Sequence, residues 1–556
     1  MVSLIGYKSL VFGLLRNFIN KNLCSIKICI PRKSFVFENE YTWGKAVANN
    51  KTDEFHAKFE DEVKKVTSEL EKDYPIIVDG KEIFSDNTFS IKSPSNTSLV
   101  LGNFPLATQE DTLTAIEVAK KAFSSWSHTS YQTRAKIFRE CAEQFSRQKF
   151  YLSAIMSFEN GKNRLEAMGD IDEAIDFMRF YAEQLELNEG FSKETKSPNP
   201  NEKTRTILKP YGVWGIISPF NFPSAIAIGM TTGALITGNT AILKPASDTP
   251  ISSFKFVKEL YKKLPNGAIN FLTGPGSVVG KTLIESSNVD GIAFTGSREV
   301  GMKGYQKFTE KTVKPFISET GGKNPVIITE SADLEKAVEG VVRAAFGYGG
   351  QKCSACSRVY IQKNISEPFM KKLVEKTNSL KIGLPWEKNT FLGPVINESA
   401  QKKFKDAVEL GKKDGKIIQG GNVLESIDNK NGYYVEPTII TKLPRNNKLM
   451  KEELFVPILC VDEYDNFEEA IQLANDTEYG LTAGIFTENK EQLEQFFDKI
   501  QAGTVYANRA AGATTAALVS SQPFVGWKNS GSSGKGAGGV NYLQQFMRGQ
   551  TQTRCP

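Results

Sequence analysis

The segment Phe346-Gly347-Tyr348-Gly349-Gly350-Gln351-Lys352-Cys353-Ser354-Ala355-Cys356-Ser357-Arg358 carries the most reactive group in the chain. Its glycines let backbone amides approach whatever binds there, since no Cβ intervenes. Cys353 lies where that turn gives way to Arg358-Val359-Tyr360-Ile361, which reads as a strand. A thiol presented among backbone donors is a candidate nucleophile, because its reactivity follows a lowered pKa. The same residue type also serves as a buried core cysteine, so its partners must decide.

Five other stretches supply partners. Ser218-Pro219-Phe220-Asn221-Phe222-Pro223 follows a strand, and the Asn221 amide can donate to a developing oxyanion or simply make a turn. Lys244 ends the strand Thr240-Ala241-Ile242-Leu243, at the edge where open α/β sheets bind ligands. A ribose hydroxyl, a phosphate or solvent are all open to it. Gly274-Pro275-Gly276 with Gly280, and Gly296-Ser297 with Gly301, sit at strand-to-helix junctions. Neither has the GxGxxG spacing, but both suit a phosphate at a helix N-terminus. Glu319, before Gly321-Gly322-Lys323, can take a proton from water. Glu453 stands two residues before Phe455, a pair suited to a ribose diol beside a flat ring. For Glu319 and Glu453 alike, the alternative is a solvated carboxylate.

Short apolar runs must position these residues. Val213–Ile217, Thr240–Leu243, Ile269–Leu272, Gly291–Phe294 and Asn324–Ile328 read as buried strands alternating with helices, which predicts parallel sheets covered on both faces. The alternation runs on to about residue 505. Upstream, Ile76–Ile83 reads as a hairpin turning at Asp79-Gly80. Thr108 and Asp111 are placed to cap a helix, and Cys141 falls on the apolar face of the next. Ile171–Leu187 is a further helix, with Phe177 and Phe180 off its apolar stripe. Residues 188–203 are polar and read as a surface excursion or linker. The Gly/Ser-rich tail from Gln522 either wanders or packs on a partner subunit.

The totals exclude several functions. A chain of 556 residues with 40% hydrophobic and 24% charged side chains suits more than one globular core. A net charge of +6, spread along the chain, gives no nucleic-acid footprint. Among seven cysteines there is one CxxC, Cys353 to Cys356, without a second pair or a histidine, so no metal site is expected. The two histidines, His56 and His128, lie far from Cys353, which counts against a Cys-His hydrolase. Residues 1–35 are basic and free of acid, with no span near the roughly 20 apolar residues a membrane helix needs. They fit a mitochondrial transit peptide or an extension foreign to the functional protein. The expected location is cytoplasmic, or the mitochondrial matrix if the leader is a transit peptide.

Taken together, Pro-Phe-Asn-Phe-Pro, Lys-Pro-Ala, Phe-Thr-Gly-Ser, Glu-Thr-Gly-Gly-Lys, Gly-Gln-Lys-Cys and Glu-Glu-Leu-Phe resemble the aldehyde dehydrogenase superfamily, from about residue 75 to 545. Gly350 to Arg358, Gln522-Pro523-Phe524 and Gly538 to Leu543 are most similar to its 1-pyrroline-5-carboxylate dehydrogenase branch. The resemblance implies an α/β fold of two domains with parallel-type sheets plus a small oligomerisation extension. A cofactor-binding domain over 36–318, a catalytic domain over 319–505 and a C-terminal segment over 506–556 follow from it.

By the same resemblance, Cys353 is the nucleophile, Asn221 an oxyanion donor and Glu319 the base, acting on an aldehyde through a thiohemiacetal and a thioester. Lys244, Gly296, Ser297, Glu453 and Phe455 would hold NAD, with NADP open because Ser247 stands where many members have glutamate. Phe222, Ser354, Ala516, Ala517, Phe524 and Glu166 would receive glutamate semialdehyde. Val456 and Val525 replace usual glycines and add bulk near cofactor and substrate. A homo-oligomer acting on a small molecule is expected. The alternatives are a different semialdehyde, such as that of succinate, and an inactive binding or scaffold paralogue.

Overall fold

In the computed structural model the described residues are 36–38, 41–428, 431–510 and 518–555. Two seven-stranded sheets organise the chain from Phe37 onward. The first comprises β1 (Ile76–Val78), β2 (Lys81–Ile83), β3 (Val213–Ile217), β4 (Thr240–Lys244), β5 (Ile269–Phe271), β6 (Gly291–Thr295) and β7 (Phe316–Glu319), in the order β7-β6-β3-β4-β5-β1-β2. Its five later strands pair in parallel, and the β1-β2 hairpin closes one edge antiparallel. Val78 faces Lys81 across Asp79 and Gly80, whose φ of 54° and 71° are the positive pair a tight hairpin turn requires.

The second sheet holds β8 (Asn324–Ile328), β9 (Cys356–Gln362), β10 (Lys416–Gln419), β11 (Thr438–Thr441), β12 (Ile458–Tyr464), β13 (Thr482–Phe486) and β14 (Thr504–Ala507). The order is β10-β11-β12-β9-β8-β13-β14, parallel throughout except for β10. Thus all strands of the first sheet precede residue 320, and all of the second follow it. Buried Val, Ile and Leu fill both sheets, as expected of strands covered on both faces.

Three helices matter for the site: α1 (Arg164–Leu187), α2 (Ala225–Ile236) and α3 (Arg298–Thr309). The Asn163 side chain caps α1 by accepting from the N–H groups of Leu165 and Glu166. Helix α2 is buried along nearly its whole length beneath α1. Earlier, Thr108 and Asp111 form the expected capping box of the helix Gln109–Trp126, and Cys141 is fully buried.

The polar stretch at 188–203 is more ordered than a linker. Ser192–Thr195 pairs with Lys203–Pro210, which in turn pairs over its full length with Met547–Arg554. The tail therefore folds back onto its own chain over these residues. No helix among the described residues is long and apolar enough to cross a membrane.

Candidate active site

The glycine turn before Cys353 is built as its sequence demands. Tyr348, Gly349 and Gly350 all have positive φ, at 50°, 63° and 65°. Tyr348 tolerates this because it is buried and its hydroxyl donates to the Asn160 carbonyl at 2.9 Å. The Gln351 side chain then ties the turn down, accepting from the Ile396 N–H at 2.9 Å. From the other sheet's edge comes Gly321-Gly322. A Cβ on Gly322 would lie 2.5 Å from the Cys353 carbonyl oxygen, so only glycine lets the two segments touch. Asn324 locks the contact by donating to the carbonyls of Cys353 and Ala355 at 2.7 and 2.9 Å.

One cavity, mostly apolar, receives Cys353, Glu319, Phe222, Ser354 and Phe524, five of the residues expected from sequence. Glu319 arrives there from the carboxyl end of β7, paired in register with Thr295 of β6, which also lines the cavity. Burial pushes the Glu319 carboxyl up to about 8. Its Oε2 is buried with no hydrogen-bond partner among the described residues. Burial, with the negative charges of Glu453 and Glu319, raises the Cys353 thiol well above its usual range, while the N–H groups of Ser354 and Cys353 pull the other way. Those amides face the sulfur and are where an oxyanion would gather. Asn221 is tied to the same turn: its Nδ2 donates to the Gln351 carbonyl at 3.0 Å, which leaves a second N–H on the same nitrogen.

Glu166 does not belong to the cavity. Its carboxylate binds Lys352 at 2.7 Å, and that cation overrides the upward pull of burial to keep the acid ionised. The acid facing the cavity is Glu173, two turns further along α1. It is 4% exposed, its Oε2 has no hydrogen-bond partner among the described residues, and burial raises its carboxyl far above normal. Sequence reading passed over Glu173, although its place one turn before Phe177, on the same off-stripe face of the helix, was the available signal. Phe177, Met230 and Tyr542 also line the cavity. Phe177 had already stood out as lying off the α1 stripe, whereas nothing local pointed to Met230. Ala516 and Ala517 lie outside the described residues.

Ser297, Glu453 and Lys403 line a second, open cleft of about 990 Å³. Ser297 caps α3, and the helix N-terminus there offers unpaired N–H groups and a positive dipole end. Glu453 accepts from the Gly322 N–H at 2.9 Å, and burial lifts its carboxyl to about 7. Lys244 ends β4 with its ammonium donating to the Pro245 carbonyl at 2.8 Å, and burial lowers it to about 8. Phe455 holds a positive φ of 59° with its ring edge-on to Phe220. Gly296 gives its N–H to the Glu319 carbonyl at 3.2 Å. Ser247 donates to the Gly274 carbonyl at 3.2 Å, within the glycine turn. The Val456 side chain, 4% exposed, packs into the core of the second sheet, so its bulk is absorbed there.

The two histidines serve neither site. His56 meets Arg164 at 3.1 Å, and His128, in the turn after the helix Gln109–Trp126, contacts the Ser124 carbonyl of that helix. Among the described residues no cluster of His, Cys, Asp or Glu is placed to hold a metal ion.

Residues 83–552 match the model of the aldehyde dehydrogenase family. A 1-pyrroline-5-carboxylate dehydrogenase of Geobacillus sp. (strain WCH70) is 40% identical over 500 residues, covering 89% of this chain and 95% of its own. A 1-pyrroline-5-carboxylate dehydrogenase from Thermus, solved with bound NAD, superposes with a TM-score of 0.86 at 34% identity, covering 90% of this chain and 96% of that one. A betaine aldehyde dehydrogenase of Staphylococcus aureus, in complex with NAD+, reaches a TM-score of 0.83 at 28% identity, with coverages of 90% and 97%. This chain, with its cysteine, its raised carboxyl and its cleft beside them, belongs to the aldehyde dehydrogenase family.

Proposed function

We propose that the protein oxidises L-glutamate γ-semialdehyde, the open form of 1-pyrroline-5-carboxylate, to L-glutamate with NAD, as a step of proline catabolism. The observation that carries this reading is the cavity itself: a thiol and an unpartnered carboxyl at one end, two aromatic walls, and a second buried acid at the side. The 1-pyrroline-5-carboxylate dehydrogenases at up to 40% identity support the choice of substrate.

In this reading the Cys353 thiol releases its proton to solvent and the sulfur adds as thiolate to the aldehyde carbon, forming the S–C bond of a thiohemiacetal as the C=O π pair moves onto the oxygen. The Cys353 N–H and the free Asn221 N–H hold the oxygen, a contribution of ~3 kcal/mol for one such donor. A bound NAD would supply the hydride acceptor this carbon needs, and Cys353 would then hold the acyl group as a thioester on its sulfur. Glu319 takes a proton from water, whose oxygen attacks the thioester carbonyl, and the carbon–sulfur bond breaks to give the acid and the thiol. The residues present fit such a cofactor. The N-terminal end of α3 with Ser297 and Gly296 suits the pyrophosphate, Lys244 and Glu453 the two riboses, and Phe455 the nicotinamide region. Phe222 and Phe524 flank the aliphatic chain, Glu173 meets the amino group, and Ser354, with Ala516 and Ala517, meets the carboxylate.

The first sheet, which ends at Glu319, serves the cofactor and the second, which runs from Asn324 to Ala507, carries the nucleophile. The chain works as a homo-oligomer. Initial rates of NADH formation from glutamate and succinate semialdehydes, with NAD and NADP side by side, test the assignment. A preference for the four-carbon semialdehyde would end it.

A further inference from the structure

Between the helix Tyr131–Asn160 and α1 the chain passes through Gly161 and Lys162, and Lys162 is 0% exposed. A buried lysine is costly unless paired, and this one is paired twice. Its Nζ donates to Asp170 Oδ2 at 2.7 Å, both side chains being fully buried. The same Nζ lies 3.6 Å from the centroid of the Phe222 ring and 5.0 Å from that of Tyr348. Phe222 is a wall of the cavity, whereas Lys162 is not, so the cation supports the ring from behind. Tyr348 belongs to the left-handed turn that leads to Cys353. The other Asp170 oxygen accepts the Ala225 N–H at 2.6 Å, at the start of α2, which carries Ile226 and Met230 into the cavity. One ammonium thus touches the wall and the nucleophile's turn, and through one carboxylate the helix beneath them.

We infer that Lys162 is a positioning residue: its ammonium, fixed by Asp170, holds the Phe222 ring in place so that a long aldehyde is aligned with Cys353. The aldehyde chain packs on one face of the ring while the cation holds the other. A two-carbon aldehyde reaches the sulfur without touching that wall, so its oxidation is indifferent to the ring's placement. The inference rests on the cysteine chemistry proposed above but not on which semialdehyde is the substrate.

The test compares hexanal with acetaldehyde in the parent, K162M, F222L and K162M/F222L. K162M should raise KM for hexanal by about tenfold, within the range of a cation–π contact between its exposed and desolvated limits, with kcat and the acetaldehyde constants within about threefold. In the F222L background K162M should change the hexanal-to-acetaldehyde ratio no further, because the two act through one ring. Equal losses for both aldehydes, or additive effects in the double variant, would overturn the inference. If K162M does not fold, K162M/D170N replaces it in both comparisons, since removing both buried charges spares the fold an unpaired one. A parent that oxidises hexanal but not glutamate semialdehyde would sink the proposed substrate and leave this inference standing.

Discussion

At the scale of single residues, the functional proposal stands on three side chains. Cys353→Ala should reduce NADH formation below about 10⁻³ of the parent, as loss of a covalent nucleophile does, while titration by fluorescence still detects NAD binding. Persistence of the parent rate would remove the nucleophile. Glu319, raised to about 8, is about one-tenth ionised at pH 7. The working form of a base is the carboxylate, so thioester hydrolysis should accelerate as pH rises through 8 and slow about tenfold per unit below 7. The raised Cys353 thiol pushes capture in the same direction. Glu319→Gln should accumulate acyl-enzyme, with a residual rate that is flat with pH, read by rapid quench across pH 6 to 9. The two acids of α1 separate in the same way. Glu173→Gln, losing a charge-assisted contact worth about 1.5–3 kcal/mol, should raise KM for the amino-bearing semialdehyde at least tenfold and spare hexanal. Glu166→Gln, off the cavity and bound to Lys352, should not discriminate between the two. The reverse pattern would return the amine to Glu166.

At the scale of elements, what could be read in advance was whatever is set by neighbours in the chain. The hairpin at Asp79-Gly80, the Thr108–Asp111 box and the parallel strands follow from φ preferences, local hydrogen bonds and apolar runs, and all are found. Cys353 and Glu319 were legible because glycine turns and strand ends announce them, and Phe222 only through the resemblance that Pro-Phe-Asn-Phe-Pro carries. Glu173 was not, because a helical acid reveals its function only when a cavity forms over it from α2 and the tail. The pairing of residues 203–210 with 547–554 joins segments more than 300 residues apart, which no local pattern encodes. The contact between Gly322 and the Cys353 carbonyl is also non-local and gives a prediction. Gly322→Ala places a carbon 2.5 Å from that oxygen, and the backbone on both sides is held by Asn324. Relief must displace the nucleophile's loop, so we expect a stability loss of about 1–3 kcal/mol in urea and a larger proportional loss of kcat. A variant with parent-like kcat would mean that the loop yields without moving the sulfur.

At the scale of the whole molecule, the three-stranded sheet formed by 192–195, 203–210 and 547–554 is the feature the catalytic reading leaves unused. Its outer strand, Met547–Arg554, is exposed along nearly all of its length. Such an edge presents unpaired N–H and C=O groups, an arrangement that a chain either protects or uses to pair with another copy. We expect it to seat a second subunit. The position of the cut makes this testable apart from catalysis. Tyr542 lines the cavity and Phe546 packs against Trp214 at 4.6 Å, and its carbonyl accepts from Asn239 at 2.9 Å, so both must stay. A chain ending at Met547 keeps them and loses only the outer strand. Light scattering should then report a smaller assembly than the parent, while the species still forms NADH, because Cys353, Glu319 and the cavity walls of the described residues all lie upstream. An unchanged mass would show that subunits meet elsewhere. A smaller species without activity would mean that the strand supports the cavity through Tyr542 as well as seating a second subunit.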